Sequence, residues 1–183
     1  MARPGFVDLG AALQVNRDGS IERVRSGSGG AIAFVSGGPV TRHRGLAAAR
    51  VVLPLGRPNV CVGAAVRGAG VPDEHSRGVY LLTIGTGGVY ADGVSTGAHV
   101  HDWRALVWDS VGGGLQAGEV VDVTLDPHRG TLAVIVLGRR FVIARGLACA
   151  AAGDLHFAAI IWSRVTQLAV RRATYDRGTR RDV

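Results

Sequence analysis

The chain predicts an all-β sandwich, and three observations carry that expectation. Short apolar runs recur at close intervals along the 183 residues, and none holds the 3.6-residue apolar period of an amphipathic helix. The 28 glycines follow no repeat, so they read as turn residues between strands and not as a collagen-like period. Hydrophobic residues at 47% against 19% charged suffice for a packed core, and a chain of this length fills one domain.

Each element can be justified in order. "AALQVNRDGSIERVR" reads as two short strands about Asp18-Gly19, a strong hairpin dipeptide. "GAIAFV" (Gly30–Val35) is a third run, ended by "SGGP"; "ARVVLPL" and "NVCVGAAV" follow, then the polar loop Arg67–Gly78. "VYLLTI" and "VYADG" flank a tight reversal at Gly85-Thr86-Gly87-Gly88. Residues 92–117 read as loop. "EVVDVTLD", "TLAVIVL" and "RRFVIA" supply three strands, and "LHFAAIIW" and "VTQLAVRR" close the domain. The sum is roughly a dozen short strands in antiparallel sheets. Residues 1–172 are expected to form one β-sandwich domain, with Ala173–Val183 an Arg-rich tail.

In "VVDVTLD" the residues Val121, Val123 and Leu125 share one face, and Asp122, Thr124 and Asp126 the other. In "TLAVIVL" both faces are apolar, as for a strand covered on both sides. Between them "DPHRG" brings Asp126 and His128 two residues apart. Pro127 cannot donate to a ladder and Gly130 tolerates positive φ, so the pair reads as hairpin chemistry and not as a catalytic dyad.

All 21 basic residues are Arg, and the net charge is +7. The arginines are spread out except near the C-terminus, so the charge permits an anionic partner without requiring one. Cys61 and Cys149 lie in the apolar runs "NVCVG" and "LACAA", where buried free thiols of a reducing compartment are expected. No run approaches the ~18 apolar residues of a membrane-spanning helix. The first residues, "MARPGFVDLG", lack the apolar stretch of a secretory signal. An intracellular, mainly cytoplasmic location without a membrane partner is therefore expected, with a mitochondrial one as the alternative.

Motifs for other chemistries are weak. His99 and His101 beside Asp102 could share a metal at i, i+2 spacing, but a third ligand would have to come from elsewhere, with His128 and His156 available in principle. No metal site and no cofactor is expected. There is no G-x-S-x-G elbow, and "GSGG" (Gly27–Gly30) precedes a strand, without the helix N-terminus that holds phosphate. Trp103, Trp108 and Trp162 could offer an aromatic platform to a sugar, but the His, Asn, Pro and Arg pattern of a galectin-type site is missing. No catalytic residue is assigned, and the chain is not expected to be an enzyme.

The order of the segments resembles the SPRY domain family. "GEVVDVTLD" followed by "RGTLAVIVLGRRFVIARGL" is similar to the family's Gly-Asp/Glu-Val-Ile strand, Leu-Asp end, Gly-Thr entry and third strand running to Gly-Leu. "GGVYADG" resembles its hairpin with a tyrosine and an Asn/Asp-Gly turn, and "NVCVGAAVRGAG" its Val-Gly-Val-Ala strand. "GGPVTRHRGLAAARVVL" resembles the segment in which Pro-Leu/Val precedes a Gly and an outgoing strand. "LHFAAIIWSRVTQLAV" resembles the closing strand pair, best matched in the SPRY proteins of the SOCS-box type. The likeness runs from Leu9 to Arg172. Two departures stand out: "ARVVL" replaces the family's aromatic-Trp-Glu triplet, and Leu137-Gly138 replaces its Asn-Gly. The residues after Arg172 are too few for a SOCS box, so a ubiquitin-ligase role is not carried over.

The resemblance implies an antiparallel two-sheet β-sandwich of the SPRY, concanavalin A-like jelly-roll kind. It also implies a non-enzymatic protein–protein interaction module, a small adaptor or structural subunit that binds a partner segment through edge loops. The family's binding edge matches Ile161, Trp162 and Ser163, with Arg67, His75 and Arg77, beside Asp73 and Glu74, expected close by in the loop Arg67–Gly78. The alternative is a ribonucleoprotein-associated subunit in which Arg171, Arg172, Arg177, Arg180 and Arg181 meet RNA phosphate.

Overall fold

The computed structural model describes residues 5–7, 11–25, 30–40, 46–52, 60–67, 75–99, 103, 120–147, 155–162 and 167–175. They form fourteen strands: β1 (Phe6–Val7), β2 (Leu13–Val15), β3 (Ile21–Arg23), β4 (Ala31–Val35), β5 (Ala47–Val52), β6 (Val60–Val66), β7 (Val79–Thr83), β8 (Gly88–Ala91), β9 (Val94–His99), β10 (Val120–Asp126), β11 (Thr131–Val136), β12 (Arg139–Ala144), β13 (Leu155–Ile161) and β14 (Gln167–Tyr175). Two seven-stranded sheets result, ordered β1-β4-β13-β6-β7-β8-β9 and β12-β11-β10-β5-β14-β3-β2. The expected all-β antiparallel sandwich is what the chain adopts.

The hairpins follow their turn chemistry. β2 and β3 pair with Val15 opposite Ile21 around Asp18-Gly19, where the Asp18 carboxylate accepts the N–H and the hydroxyl of Ser20 at 2.9 and 2.6 Å. β8 and β9 are joined by Asp92 and Gly93 with φ of 52° and 77°, the two positive values of a type I′ turn. β11 and β12 turn through Leu137 and Gly138 at 49° and 74°, so leucine here occupies a left-handed position that Asn would fill with less strain.

Two expectations are corrected. Residues 94–99 are strand β9, not loop, and β14 continues to Tyr175, with Ala173, Thr174 and Tyr175 opposite Ala49, Ala48 and Ala47. Three residues assigned to the tail are therefore paired in the sheet.

The main core lies between the sheets. Val51, Val123, Leu125, Val134 and Leu168 of one sheet meet Val62, Leu82, Phe157 and Ile161 of the other. β10 alternates as its pattern requires, with Val121, Val123 and Leu125 inward. A second apolar layer covers the opposite face of the first sheet. Ile32, Phe34, Cys61, Ala65, Leu81 and Ile160 are buried there, which explains why β4 and β13 are buried at every position. A strand apolar on both faces thus marks the first sheet. On β11, by contrast, Ile135 stays part-exposed on the outside of the second.

Candidate functional site

The sandwich presents Trp162 where β13 ends. Ile161 points into the core, fully buried, and strand alternation sends the next side chain to the outer face of the first sheet. There the part-buried indole packs on the second apolar layer, and its Nε1–H donates to the Cys61 Sγ at 3.3 Å. Cys61 is a buried free thiol, and its sulfur also lies 3.3 Å from the Thr83 Oγ1. From the inner side the backbone is held by Arg23, only 4% exposed. Its Nη1 donates to the carbonyls of Ile161 (3.3 Å) and Trp162 (3.0 Å), and its Nε to that of Arg25 (3.0 Å). Arg23 was not singled out in the sequence. The signal was available, since Arg23 stands two residues from Ile21 in a strand and so shares its inward face.

Arg67, His75 and Arg77 gather at the other end of the same strands. The Val66 N–H donates to the Gly78 carbonyl at 3.0 Å, which brings Arg67 beside the turn carrying His75 and Arg77. That turn is clamped to the β8–β9 reversal: Gly78 N–H donates to the Asp92 carboxylate at 2.7 Å, and Gly93 N–H to the Val79 carbonyl at 3.0 Å. A side chain at Gly93 would run into the carbonyl oxygens of His75 and Ser76, so only glycine permits this closure. The His75 ring meets Tyr90 edge-on, with centroids 6.2 Å apart. Tyr90 packs on the second apolar layer, as Trp162 does; it is a candidate contact residue that sequence reasoning did not name.

The expected closeness of this loop to Trp162 is corrected by the register. β13 runs antiparallel to β6, with Ile161 opposite Val60 and Leu155 opposite Val66. Trp162 therefore stands at the start of β6 and Arg67 beyond its end, roughly 25 Å apart at the rise of an extended strand. The predicted group is two clusters at opposite ends of one sheet face.

Other candidates separate as well. The Asp126 Oδ1 accepts the backbone N–H groups of His128 and Arg129, both at 3.0 Å. That carboxylate shapes the turn, and His128 is exposed at its tip. Trp103 is no exposed platform: it is 1% exposed, donates its Nε1–H to the Ile84 carbonyl at 2.9 Å and meets Phe141 edge-on at 5.2 Å. His156 is buried in β13 against Phe34, far from any shared site with His128 in the second sheet. Arg171 and Arg172 lie in β14 and His99 ends β9, but their side chains are not among the described ones. Ser163, Asp73, Glu74, His101, Asp102, Trp108, Cys149, Arg177, Arg180 and Arg181 fall outside the described residues.

An open depression lies on the outer face of the second sheet, lined by Ala48, Arg50, Asp122, Thr124, Ile135 and Thr174. Arg50 holds Asp122 through two donors, Nε to Oδ1 at 2.7 Å and Nη2 to Oδ2 at 2.8 Å. Those hydrogen bonds, with the attraction of the carboxylate, raise the guanidinium pKa above its ordinary value. Both carboxylate oxygens are thus engaged by the guanidinium in a bidentate pair.

No protein-family model matches the sequence, and no curated protein is detectably similar to it. Solved structures do match. The SPRY domain of human HERC1 aligns over 96% of this chain and 100% of its own, with 16% identity and a TM-score of 0.68. The TRIM65 PSpry domain covers 93% of each chain at 11% identity and a TM-score of 0.61. Another human SPRY domain covers 91% of this chain and 96% of its own, at 14% identity and 0.55. At such identities the likeness is one of backbone architecture. With two seven-stranded antiparallel sheets aligned over nearly the whole chain, this protein has the SPRY fold.

Proposed function

We propose that this chain is a non-enzymatic protein-interaction module, an adaptor or structural subunit that seats a segment of a partner protein at the Trp162 end of its first sheet. The observation that carries the reading is the state of Trp162. Its indole is part-buried at a strand end, its backbone carbonyl is held by a buried guanidinium, and its N–H is given to a thiol. A large aromatic surface fixed in place and partly open to solvent is the chemistry that concentrates binding energy. Sulfur is a weak acceptor, so a carbonyl of a partner could take the indole N–H at little cost. The SPRY fold of the similar domains is consistent with this role, although a fold does not fix a function.

Arg67, His75 and Arg77 are a separate contact region. A compact peptide held at Trp162 does not reach them; a segment of about eight extended residues does, at ~3.3 Å per residue. The test measures melting temperature and partner affinity on the same variants. Partners are recovered by affinity purification from the native cell and identified by mass spectrometry. Trp162→Ala is expected to weaken binding of the identified partner by about 2 kcal/mol or more, roughly thirtyfold. Unchanged affinity in the folded fraction, together with a stability loss of about 3–5 kcal/mol, would make Trp162 a core residue and overturn the reading. Tight RNA binding with a steep log–log dependence on salt would favour the ribonucleoprotein alternative instead.

A further inference from the structure

Arg23 is a charged side chain in the interior, 4% exposed. Taking a guanidinium out of water is expensive unless its donors are satisfied. Three described N–H···O contacts serve it, all to backbone carbonyls, and two of those belong to successive residues, Ile161 and Trp162. Successive carbonyls of a regular strand point in opposite directions. One nitrogen can reach both only where the strand stops, and β13 ends at Ile161. Arg23 therefore fixes the angle at which the chain leaves β13. It acts across the sandwich, because β3 belongs to the second sheet and β13 to the first. On the far side of the same peptide, the indole of Trp162 closes over Cys61, which is 0% exposed.

We propose that Arg23 is the positioning residue of Trp162: its Nη1, shared between the two carbonyls, holds the indole seated over Cys61 and so keeps the partner-binding surface preorganised. The inference rests on the reading of Trp162 as the binding anchor, and the two can fail separately. Cys61 reports the seat without any partner present, because a thiol under an indole reacts only when the indole lifts.

The experiment measures the rate at which iodoacetamide alkylates Cys61 in the folded full chain. Peptide-resolved mass spectrometry distinguishes Cys61 from Cys149. Arg23→Met keeps the apolar stem and removes the guanidinium. It is expected to speed alkylation by about tenfold or more, with a rate insensitive to low urea, the mark of local opening. Arg23→Lys, which retains a donor, should fall between Arg23→Met and the wild type, and partner affinity should drop in the same order. Wild-type protection of Cys61 in Arg23→Met would overturn the proposal. So would an acceleration carrying the full urea dependence of global unfolding, since that describes a residue that merely supports the fold. If Arg23→Met does not fold, Arg23→Lys decides by the same two readouts. Unseating by Arg23→Met with intact partner binding in Trp162→Ala upholds the clamp and overturns the anchor. Binding lost in Trp162→Ala with Cys61 still protected in Arg23→Met upholds the anchor and overturns the clamp.

Discussion

Gly87 offers a test of how tightly the core is built, because two costs can be separated there. Its φ is +74°, and a Cβ added to it would lie 2.5, 2.6 and 2.7 Å from the Cγ, Cδ1 and Cβ of Trp103. Gly19 shares the first feature, with φ +84°, but has nothing within 4 Å. Alanine at either position pays for the left-handed backbone, about 1–2 kcal/mol. Only Gly87→Ala adds a clash, and Trp103 has little room to retreat: it is 1% exposed, its indole N–H is bound to Ile84 and its ring lies against Phe141. Overpacking of this kind costs about 1–3 kcal/mol. Gly87→Ala should therefore destabilise by about 2–5 kcal/mol against about 1–2 for Gly19→Ala. Domains of this size have roughly 5–15 kcal/mol in hand, so both variants should be measurable. Equilibrium urea unfolding followed by far-UV circular dichroism gives the comparison. Equal costs at the two positions, within about 0.5 kcal/mol, would show that Trp103 is not fixed as described.

Further outcomes follow from the turns. His128→Ala should change stability by no more than about 0.5 kcal/mol, whereas Asp126→Ala, which removes the acceptor of two N–H groups, should cost about 1 kcal/mol; urea midpoints decide. Leu137 is 50% exposed, has φ +49° and belongs to neither apolar layer, so Leu137→Asn should raise stability by about 0.5–1 kcal/mol, and a lowered midpoint would refute that. The side-chain and backbone hydrogen bonds from Ser20 hold the Asp18 carboxyl below its ordinary value of 3.8. A group with a depressed folded pKa stabilises above its unfolded value and loses that contribution as pH falls through the folded one. The stability advantage of wild type over Asp18→Asn should therefore shrink on acidification below about 3.8, and a pH-independent difference would contradict it.

Sequence reading succeeded where local pattern and global role coincide. "VVDVTLDPHRGTLAVIV" alternates or runs apolar, turns at Asp126, and pairs residue for residue from Asp126–Thr131 out to Val121–Val136. It failed at "VSTGAH", which has too few apolar residues to show a period of two. β9 also breaks its own register: Gly88 faces His99 while Tyr90 faces Ser95, around Gly97 at φ +65°. Trp103 sat in a glycine-rich stretch read as loop, and nothing local announces that its ring fills the core. The distance between Arg67 and Trp162 was hidden for a different reason. It depends on β13 pairing with β6 across about ninety residues of sequence, a contact that no local pattern encodes. The second apolar layer was legible in part. "AIAFV" and "LHFAAII" are apolar on both faces, and the structure buries every residue of each.

The edges of the two sheets narrow how such a molecule can recognise another chain. Among the described residues, β1 is two residues long and β2 three. β9 carries its register shift and β12 begins with exposed Arg139 and Arg140. β12 is also out of step with β11 between Leu132 and Ala133. Shortness, bulges and charge are the means by which sheet edges are kept from pairing with a foreign strand. Main-chain addition, which tolerates many sequences because it reads backbone, is thus poorly served at all four edges. This fits the proposed mode, in which side chains on the faces and loop ends make the contact, and there Trp162, Tyr90 and His75 are held by specific contacts. Recognition of that kind responds steeply to single substitutions on the module and on the partner alike. It also makes the rigidity of each side chain part of the affinity, since an indole already seated loses little freedom on binding. On the proposed reading, the buried Arg23 beneath the end of β13, which holds two carbonyls, would convert the order of the core into order at the surface.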